Sequence, residues 1–433
     1  MALYSSKIKC DIIDPAVDTK NLRVEFKLNS DTGYYPTLRL GNFGTVGGDV
    51  SMNKGVGQLG LIKHIVLLNG QEELDKLRFC NRYACFKLFN STNSDNRDIN
   101  SSLYNIKQGY AYNNNLRILA AGNSRNQMVV GDAINVKGAK SATVNIMELL
   151  PILQTMPVLD TSIFRDLKIV VEYDTSSSNW LHDNTAASDT IQPYLIAEEI
   201  TDPSLVQKLS ASFKSSVWNA IEHDQFQVPA NLSSPAQTDT EQSVTPIING
   251  FDNKYVSRIV MMKAFTNKTK IKAGGAGAVN YAFGDFVSLA QHKEKINWII
   301  NGKPLLSKDG LDTPPRKAMM LNDTWGPCNM VTYGNVEGVG VDGRADSTNT
   351  IGVPGLAGSK QGEDVGTQDF VGIRFDRRVN QLEIDYKRST PEENETHASN
   401  PVSRIGQGLD VHIYAEVRKQ MSLVNGRYIV SYV

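Results

Sequence analysis

Length, composition and charge exclude several classes of protein. The chain has 433 residues, a formal net charge of -1 and four cysteines. A chain of this length is expected to form about two domains, and its near-neutral charge argues against a dedicated nucleic-acid binder. No apolar run approaches the ~18 residues of a membrane span. The amino-terminal residues lack the apolar region of a secretory signal, so we expect none.

The cysteines predict free thiols rather than a disulfide framework. Cys10, Cys80, Cys85 and Cys328 are few and scattered for a chain of this length, which is typical of a reducing compartment. Cys80 and Cys85 are close together, but no second Cys or His pair lies near them, and we expect no zinc site.

Alternation of apolar and polar residues dominates the chain and predicts antiparallel strands with one wet face. In chain order, such strands are predicted at 22–28, 167–173, 371–375, 382–386 and 411–417. Turn-rich segments separate them, and the sequence shows no regular alternation of strands with helices. This pattern favours an all-β sandwich or barrel.

Few helices are expected. Apolar residues at helical spacing predict one helix over 72–88. A second helix is predicted over 144–153, with Pro151 inside it and Pro157 near its end.

Two segments nearly repeat one another. Residues 194–206 read YLIAEEITDPSLV and residues 412–424 read HIYAEVRKQMSLV, so five residues recur at a shift of 218 positions. That shift is about half the chain and predicts two tandem copies of one architecture. We expect 197–206 and 415–424 to be the closing strands of the two copies.

Two further echoes occur in matching order. HIVLLNGQEEL from His64 answers KINWIINGKPLL from Lys295, and LKIVVEY from Leu167 answers QLEIDYKR from Gln381. Their offsets are 232 and 213, as loop insertions on a shared scaffold would produce. The alternative is chance similarity between strands rich in Val, Ile and Tyr.

The boundary between the copies is predicted near 205–212, giving domains 1–207 and 208–433. Thr201-Asp202-Pro203 would begin a short linker or helix. At the far end, Asn425-Gly426 lies between two β-prone runs and predicts a final hairpin.

No motif predicts a catalytic, cofactor-binding or metal site. GVGVDG at 338–343 matches the dinucleotide-binding fingerprint in letters, but loop-like sequence follows where a helix is required. The histidines lack metal-ligand spacing, although folding could assemble some of them. They are His64, His182, His223, His292, His397 and His412.

Glu383 and Asp385 leave an enzyme alternative open. Their EIDY segment resembles the first part of the carboxylate pattern of jelly-roll glycoside hydrolases. Lys387 and Arg388 follow where a third carboxylate is needed, so a solvated face or an inter-subunit ion pair is the other interpretation. A cleft that places both carboxylates near a partner carboxyl would favour the enzyme, a glycosidase or lyase.

Two other surface features are open to interpretation. The densest basic cluster is expected to be a solvated or subunit-contact face, with phosphate binding as the alternative. Exposed Trp180 or Trp325 would favour a carbohydrate-binding or spike protein. The basic cluster comprises Arg374, Arg377, Arg378, Lys387 and Arg388.

Three segments carry a resemblance to a known family. They are PTLRLGNFG from Pro36, GQLGLIKHIVLLNGQEELDKLR from Gly57 and MELLPILQTMPVLDTSIFRDLKIVVEYD from Met147. With the tandem all-β halves, they resemble the double jelly-roll major capsid proteins of icosahedral DNA viruses, most of all those of polinton-like viruses and virophages. The resemblance is clearest over the first 175 residues or so.

The resemblance implies two tandem eight-stranded jelly rolls and a structural role in the virion. Three chains would form a capsomer of pseudo-hexagonal outline. It implies no catalytic residue and no cofactor. The implied partners are copies of the chain, a penton (vertex) protein and, as a further candidate, minor cement proteins; no specific nucleic acid and no direct membrane contact are expected. The polar stretch 333–368 is expected to form part of an outward tower.

Overall fold

The computed structural model defines the arrangement of most strands of the chain. The residues that it describes are 7–19, 22–41, 57–91, 143–174, 193–213, 215–229, 241–266, 269–271, 278–280, 294–307, 310–326, 370–389, 408–424 and 427–433.

The described strands of the first half form two antiparallel sheets that enclose a shared core. In one sheet, β11 pairs with β1 along one edge and with β4 and β5 along the other. Strand β4 pairs in turn with β9, and β5 pairs with β8. The other sheet has the order β2-β3-β10-β6-β7. The strands are β1 (Ile8–Ile13), β2 (Val17–Thr19), β3 (Arg23–Lys27), β4 (Gly33–Tyr34), β5 (Arg39–Gly41), β6 (Ile62–Asn69), β7 (Glu72–Arg78), β8 (Thr143–Asn145), β9 (Leu159–Asp160), β10 (Leu167–Tyr173) and β11 (Tyr194–Ile200).

The second half contains two further antiparallel sheets around a second core, and a separate two-stranded ribbon of β16 and β17. One sheet has the order β12-β22-β15-β20, with β23 paired to the end of β22; the other has the order β13-β21-β18-β19, with β14 also paired to β21. The strands are β12 (Ser215–Val228), β13 (Glu241–Val244), β14 (Ile247–Ile248), β15 (Lys254–Phe265), β16 (Thr269–Ile271), β17 (Ala278–Asn280), β18 (Lys295–Ile300), β19 (Lys303–Pro304), β20 (Phe370–Val379), β21 (Leu382–Ser389), β22 (Leu409–Val424) and β23 (Arg427–Tyr432).

Within the described residues, α-helices occur at three places. They are α1 (Cys80–Ser91), α2 (Pro203–Ser212) and α3 (Pro314–Trp325). Helix α2 connects β11 to β12, whereas α1 follows β7 and α3 follows β19. Shorter 3₁₀ turns lie at Gly57–Leu61, Ile146–Glu148, Pro151–Gln154 and Asn249–Phe251.

The two halves repeat one topology. In one sheet of each half the strands correspond position by position. Strand β1 corresponds to β12, β11 to β22, the pair β4 and β5 to β15, and the pair β9 and β8 to β20. Across the other sheet, β3, β10, β6 and β7 match β13 with β14, β21, β18 and β19. Two facing sheets with eight strand positions connected in this order form a jelly roll. The chain is therefore a double jelly roll, as the sequence resemblance implied.

Each sequence echo falls on strands at equivalent positions of the two rolls. The near-repeat lies on β11 and β22, the Asn-Gly echo at the ends of β6 and β18, and the Tyr-ended echo on β10 and β21. The Asn-Gly echo has a structural cause. Gly70 and Gly302 have φ values of 64° and 76° in tight turns, a region that glycine enters without strain.

The strands predicted from alternation are confirmed. For example, Val24 and Phe26 of β3 are buried, and so are Leu167 and Ile169 of β10. Leu22, which the alternation placed on the same face as Val24, precedes β3 and is 49% exposed. The final hairpin is confirmed by the pairing of β22 with β23.

The helix predicted over 72–88 is wrong in its first part. Residues Glu72–Arg78 form β7, which pairs with β6, and α1 begins only at Cys80. The turn at Gly70 reverses the chain so that β7 runs back along β6. Leu74 and Leu77 are therefore buried as residues of a strand. Their spacing is compatible with either structure, and the turn decides between them.

The helix predicted over 144–153 is also wrong. The segment contains β8 and then two 3₁₀ turns, of which the second is Pro151–Gln154. Leu150 is extended, with φ -120° and ψ 92°, because a following proline disfavours the helical conformation. Pro151 therefore starts a new turn and does not continue a helix.

The closing strands predicted at 197–206 and 415–424 differ between the two rolls. In the first roll, β11 ends at Ile200 and Ser204-Leu205-Val206 lie in α2; in the second roll, Ser422-Leu423-Val424 continue β22. Asp202 caps α2 by accepting a hydrogen bond from the Ser204 N–H at 2.9 Å, and Pro203 suits the first helical turn. The prediction is right for β22 and wrong for the end of β11.

The core of the first roll extends onto the outer face of the second. This cluster includes Trp218, Val260, Met262 and Tyr414, which lie on the β12-β22-β15-β20 sheet of the second roll. We call this buried surface the roll–roll interface.

Candidate functional site

The structure places Glu383 and Asp385, the two carboxylates of the enzyme alternative, on one strand. Both are half-buried on the outer face of β21, where they alternate with buried residues. Gln381 donates a hydrogen bond to Glu383 Oε1 at 2.8 Å, and Lys387 Nζ lies 3.6 Å from Asp385 Oδ2. Each carboxylate is thus engaged by a residue two positions away in the sequence, as on a solvated strand face.

The basic cluster is not one surface. Arg374, Arg377 and Arg378 are exposed on β20, and Arg374 pairs with Asp376. Arg388 is instead 1% exposed. Its guanidinium donates to Gln242 Oε1 at 2.7 Å and to the Pro229 carbonyl at 3.0 Å. A phosphate site that uses all five cations is therefore not formed.

Trp325 is not an exposed aromatic platform. Its indole N–H donates to the Ile259 carbonyl at 3.1 Å, and the Arg258 guanidinium lies 3.9 Å from its ring centroid. Phe86 meets it edge to face at 5.0 Å. The side chain thus joins α3 to the roll–roll interface.

Several sequence predictions lie outside the described residues. They are the segment 338–343, the proposed tower 333–368, Trp180, Cys328 and the histidines His182, His292 and His397. Of the remaining cysteines, Cys10 is an exposed free thiol and Cys80 a buried one.

The roll–roll interface brings together three histidines that the sequence separates. His64 comes from β6 of the first roll, whereas His223 and His412 come from β12 and β22 of the second. All three surround Phe79, whose ring centroid lies 5.2 Å from that of His64, 4.7 Å from that of His223 and 5.3 Å from that of His412. His223 Nε2 and His412 Nδ1 are 3.0 Å apart, so one ring donates a hydrogen bond to the other.

Phe79 connects the two rolls through its backbone as well. Its N–H donates to His64 Nδ1 at 3.1 Å, and its carbonyl accepts from the Tyr414 hydroxyl at 2.8 Å. Its φ of 48° is unusual for a bulky residue and persists only where the surroundings hold it. Sequence spacing could not predict this arrangement, because its members are up to 348 positions apart.

The interface favours the neutral forms of His64 and His223. Burial lowers the pKa of His223 to about 3, and the nearby His64, Arg78 and Arg82 act in the same direction. Burial also lowers the pKa of His64, against an opposing effect of Glu172. Protonation of His223 would place a charge in a desolvated site.

A buried carboxylate lies at another part of the interface. Asp75 of β7 is 0% exposed and accepts hydrogen bonds from the Ile152 and Lys76 N–H groups, at 3.1 and 3.0 Å. Burial raises its pKa to about 6, against the opposing charge of Lys419. Lys419 lies in the second roll, where its Nζ is 2.7 Å from Glu222 Oε1.

Inside the second roll, Glu294 is the centre of a buried ionic cluster. Lys263 Nζ lies 2.5 Å from Glu294 Oε2, Lys317 binds the same oxygen, and the Tyr386 hydroxyl donates to Oε1 at 2.7 Å. Burial alone would raise the pKa of Glu294, but the two lysines more than offset it and hold this pKa well below its ordinary value. The carboxylate is thus ionised and joins three strands or helices.

The described parts of the chain contain no group of three or more His, Cys, Asp or Glu side chains with the geometry of a metal site. In the same parts, no helix has the length and apolar character to cross a membrane.

No protein-family profile matches the chain, and no curated protein matches its sequence. Solved structures are similar over nearly its whole length. A chain from the cryo-EM structure of the Sputnik virophage has a TM-score of 0.55 at 8% identity and covers 99% of this chain and 88% of its own. PBCV-1 VP54, fitted into a reconstruction of the virophage Sputnik, has a TM-score of 0.52 at 9% identity, with coverage of 100% and 98%. The mavirus major capsid protein has a TM-score of 0.51 at 9% identity, with coverage of 98% and 90%.

These likenesses define the class of the fold. At such low identity they show a shared architecture, and that architecture is the double jelly roll already seen in the strand order.

Proposed function

We propose that the chain is the major capsid protein of an icosahedral DNA virus, of the kind found in polinton-like viruses and virophages. The observation that carries this proposal is the repetition of one jelly-roll topology, with three sequence echoes on equivalent strands. Two similar rolls in one chain allow a trimer to present six near-equivalent edges, so that it can tile a hexagonal lattice. The whole-chain likeness to the mavirus major capsid protein supports the same role.

We place the division between the rolls at 207/208, within α2. The strands of the first pair of sheets all precede this helix and those of the second pair all follow it. The two units are joined by a large apolar interface and are expected to move as one body.

In this role the chain has no catalytic residue and needs no cofactor. Its partners are two further copies in the trimer, neighbouring capsomers, a penton protein and, in some particles, minor cement proteins. The near-neutral charge fits a shell without specific genome contact. The protein would be made and assembled inside the host cell and reside in the virion.

The test is the assembly state of the purified chain. We expect light scattering to give three times the 47.7 kDa chain mass, and negative-stain images to show hexagonal sheets or shells at high concentration. A chain that stays monomeric across concentration and salt would remove the basis of the proposal.

A further inference from the structure

The sheet β12-β22-β15-β20 has two different ends. Because neighbouring strands are antiparallel, β12 and β15 begin at the same end at which β22 and β20 finish. We call this end the base. The predicted tower at 333–368 precedes the start of β20, a strand of 10 residues that is about 30 Å long. A tower that points outward from the shell therefore places the base toward the interior of the particle.

An irregularity of β20 near the base exposes two successive arginines. The register between β15 and β20 shifts at this point, and Asp376 has a φ of 47°, a conformation that aspartate tolerates better than most residues. Phe375 and Val379 remain buried, whereas Arg377 and Arg378 are both exposed. A β-bulge commonly redirects side chains in this way.

The two neighbouring strands add an aromatic ring and a further arginine. Tyr255 of β15 lies opposite Arg378, and the guanidinium of Arg418, from β22, lies 4.3 Å from the centroid of the Tyr255 ring. Strands β20 and β22 flank β15, so Arg378 and Arg418 come from strands about 10 Å apart. The arginines are therefore gathered on three adjacent strands, although 40 positions separate Arg378 from Arg418 in the sequence.

The protein supplies no counter-charge to these arginines. In the described part of the chain, Arg377, Arg378 and Arg418 form no salt bridge with a carboxylate, whereas neighbouring Arg374 is paired with Asp376. The Nε of Arg377 instead donates to a backbone carbonyl at 3.5 Å. Three adjacent positive charges without a carboxylate repel one another, and a polyanion would relieve that repulsion.

We propose that the surface formed by Arg377, Arg378, Arg418 and Tyr255 binds the backbone phosphates of the packaged DNA. The inference rests on the proposed capsid role, which turns the base toward the genome. Guanidinium groups bind phosphate oxygens through two parallel hydrogen bonds. Such contacts read no base sequence, so they agree with a shell that has no specific genome contact. A trimer would present three such surfaces to one DNA molecule.

The experiment measures binding of the purified assembly to a fluorescent DNA duplex of random sequence, by anisotropy at several salt concentrations. We expect the logarithm of the association constant to fall against the logarithm of salt concentration with a slope of about -3 or steeper, one unit for each phosphate contact. Arg378→Gln combined with Arg418→Gln should weaken binding at least about tenfold and make the slope shallower by about 2 for each surface engaged.

Two control variants separate loss of charge from loss of structure. Arg165→Gln is the matched control, because Arg165 is also exposed and lies in the turn before β10 of the first roll; it should change the affinity less than about twofold. The combination of Arg378→Lys with Arg418→Lys keeps both charges and should retain the salt dependence.

A measurement on the wild type needs no variant. Phenylglyoxal modifies accessible guanidinium groups, and peptide mass spectrometry reports the rate at each arginine. Bound DNA should slow the modification of Arg378 and Arg418 severalfold and leave that of Arg165 unchanged, because a guanidinium in contact with phosphate is shielded. Equal rates with and without DNA at Arg378 and Arg418 would overturn the inference.

Other polyanions and the assembly state complete the test. A wild type that binds polyglutamate, or vesicles containing phosphatidylglycerol, but not DNA would assign the surface to an acidic protein or a lipid and contradict the inference. A trimer that binds no DNA would also contradict it and leave the capsid proposal standing. A monomer would contradict the capsid proposal itself and, with it, the position of this surface inside a shell.

Discussion

His223 makes the stability of the roll–roll interface depend on pH. Its pKa is about 3 in the folded chain, against an ordinary value of 6.5. Between these values the folded chain binds fewer protons than the unfolded chain, so the free energy of unfolding falls as the pH falls through this window. At pH 5 the loss reaches at most about 2 kcal/mol.

Replacing His223 should therefore reduce acid sensitivity. We expect His223→Phe, which keeps an aromatic ring beside Phe79, to narrow the difference between the melting temperatures at pH 7 and pH 5 by several degrees. Differential scanning calorimetry at both pH values measures the effect.

Asp75 provides a control of opposite sign. Its pKa is raised from 3.8 to about 6, so the folded chain binds more protons than the unfolded chain between these values, and its protonation adds stability as the pH falls. Asp75→Asn removes that gain and should widen the same melting difference. If both variants narrowed, or both widened, the difference between the melting temperatures at pH 7 and pH 5, the opposite pKa shifts assigned to His223 and Asp75 would be contradicted.

Glu294 is expected to be more important for stability than a surface ion pair. Glu294→Gln leaves Lys263 and Lys317 buried without a counter-charge, which should cost about 3–5 kcal/mol. Arg374→Ala, which breaks an exposed pair with Asp376, should cost less than about 1 kcal/mol. Urea unfolding measures the loss of unfolding free energy in both variants. Equal losses would show that the buried cluster is no more important for stability than the exposed ion pair.

At the scale of elements, alternation of apolar and polar residues predicted the strands correctly. Helical spacing of apolar residues over a short segment did not predict a helix correctly. The period-two strands at 167–173 and 411–417 lie where predicted because one or both of their faces pack in a core. Segment 72–88 has a spacing that suits a helix or a strand, and the turn at Gly70 selects the strand for its first part. Tertiary pairing overrides a local pattern of this kind.

The Ser-Leu-Val triplets show how neighbours decide between two structures. The same three residues are helical at 204–206 and extended at 422–424. Asp202 and Pro203 start a helix before the first copy, whereas Lys419 precedes the second copy within a strand paired to β12 and β23. The similarity of the triplets in sequence thus marks nearly equivalent positions in the two rolls. It does not mean that the two copies have the same backbone conformation.

The final hairpin should contribute to the attachment of the rolls. Tyr428 of β23 is 4% exposed and stacks on Phe164 of the first roll, with ring centroids 4.7 Å apart. Tyr428→Ala should cost about 3 kcal/mol in chemical unfolding, because it leaves a cavity between the rolls. Its neighbour Ile429 is 49% exposed, so Ile429→Ala should change stability by less than about 0.5 kcal/mol. Similar effects of the two changes would show that the stacking contributes little.

At the scale of the whole molecule, the repetition could be predicted from sequence and the contact between the repeats could not. The echoes reveal two copies because equivalent strands keep equivalent residues at their turns and ends. The roll–roll interface depends on residues such as Phe79, His223 and His412, which no spacing connects. Which faces are covered became clear only from strand register and burial.

The proposed capsid role requires that three chains assemble into a trimer that contains six jelly rolls. A cryo-EM reconstruction of the purified assembly tests it most directly. We expect three chains and six rolls in a pseudo-sixfold ring. A monomer or a two-fold dimer would contradict the proposed role.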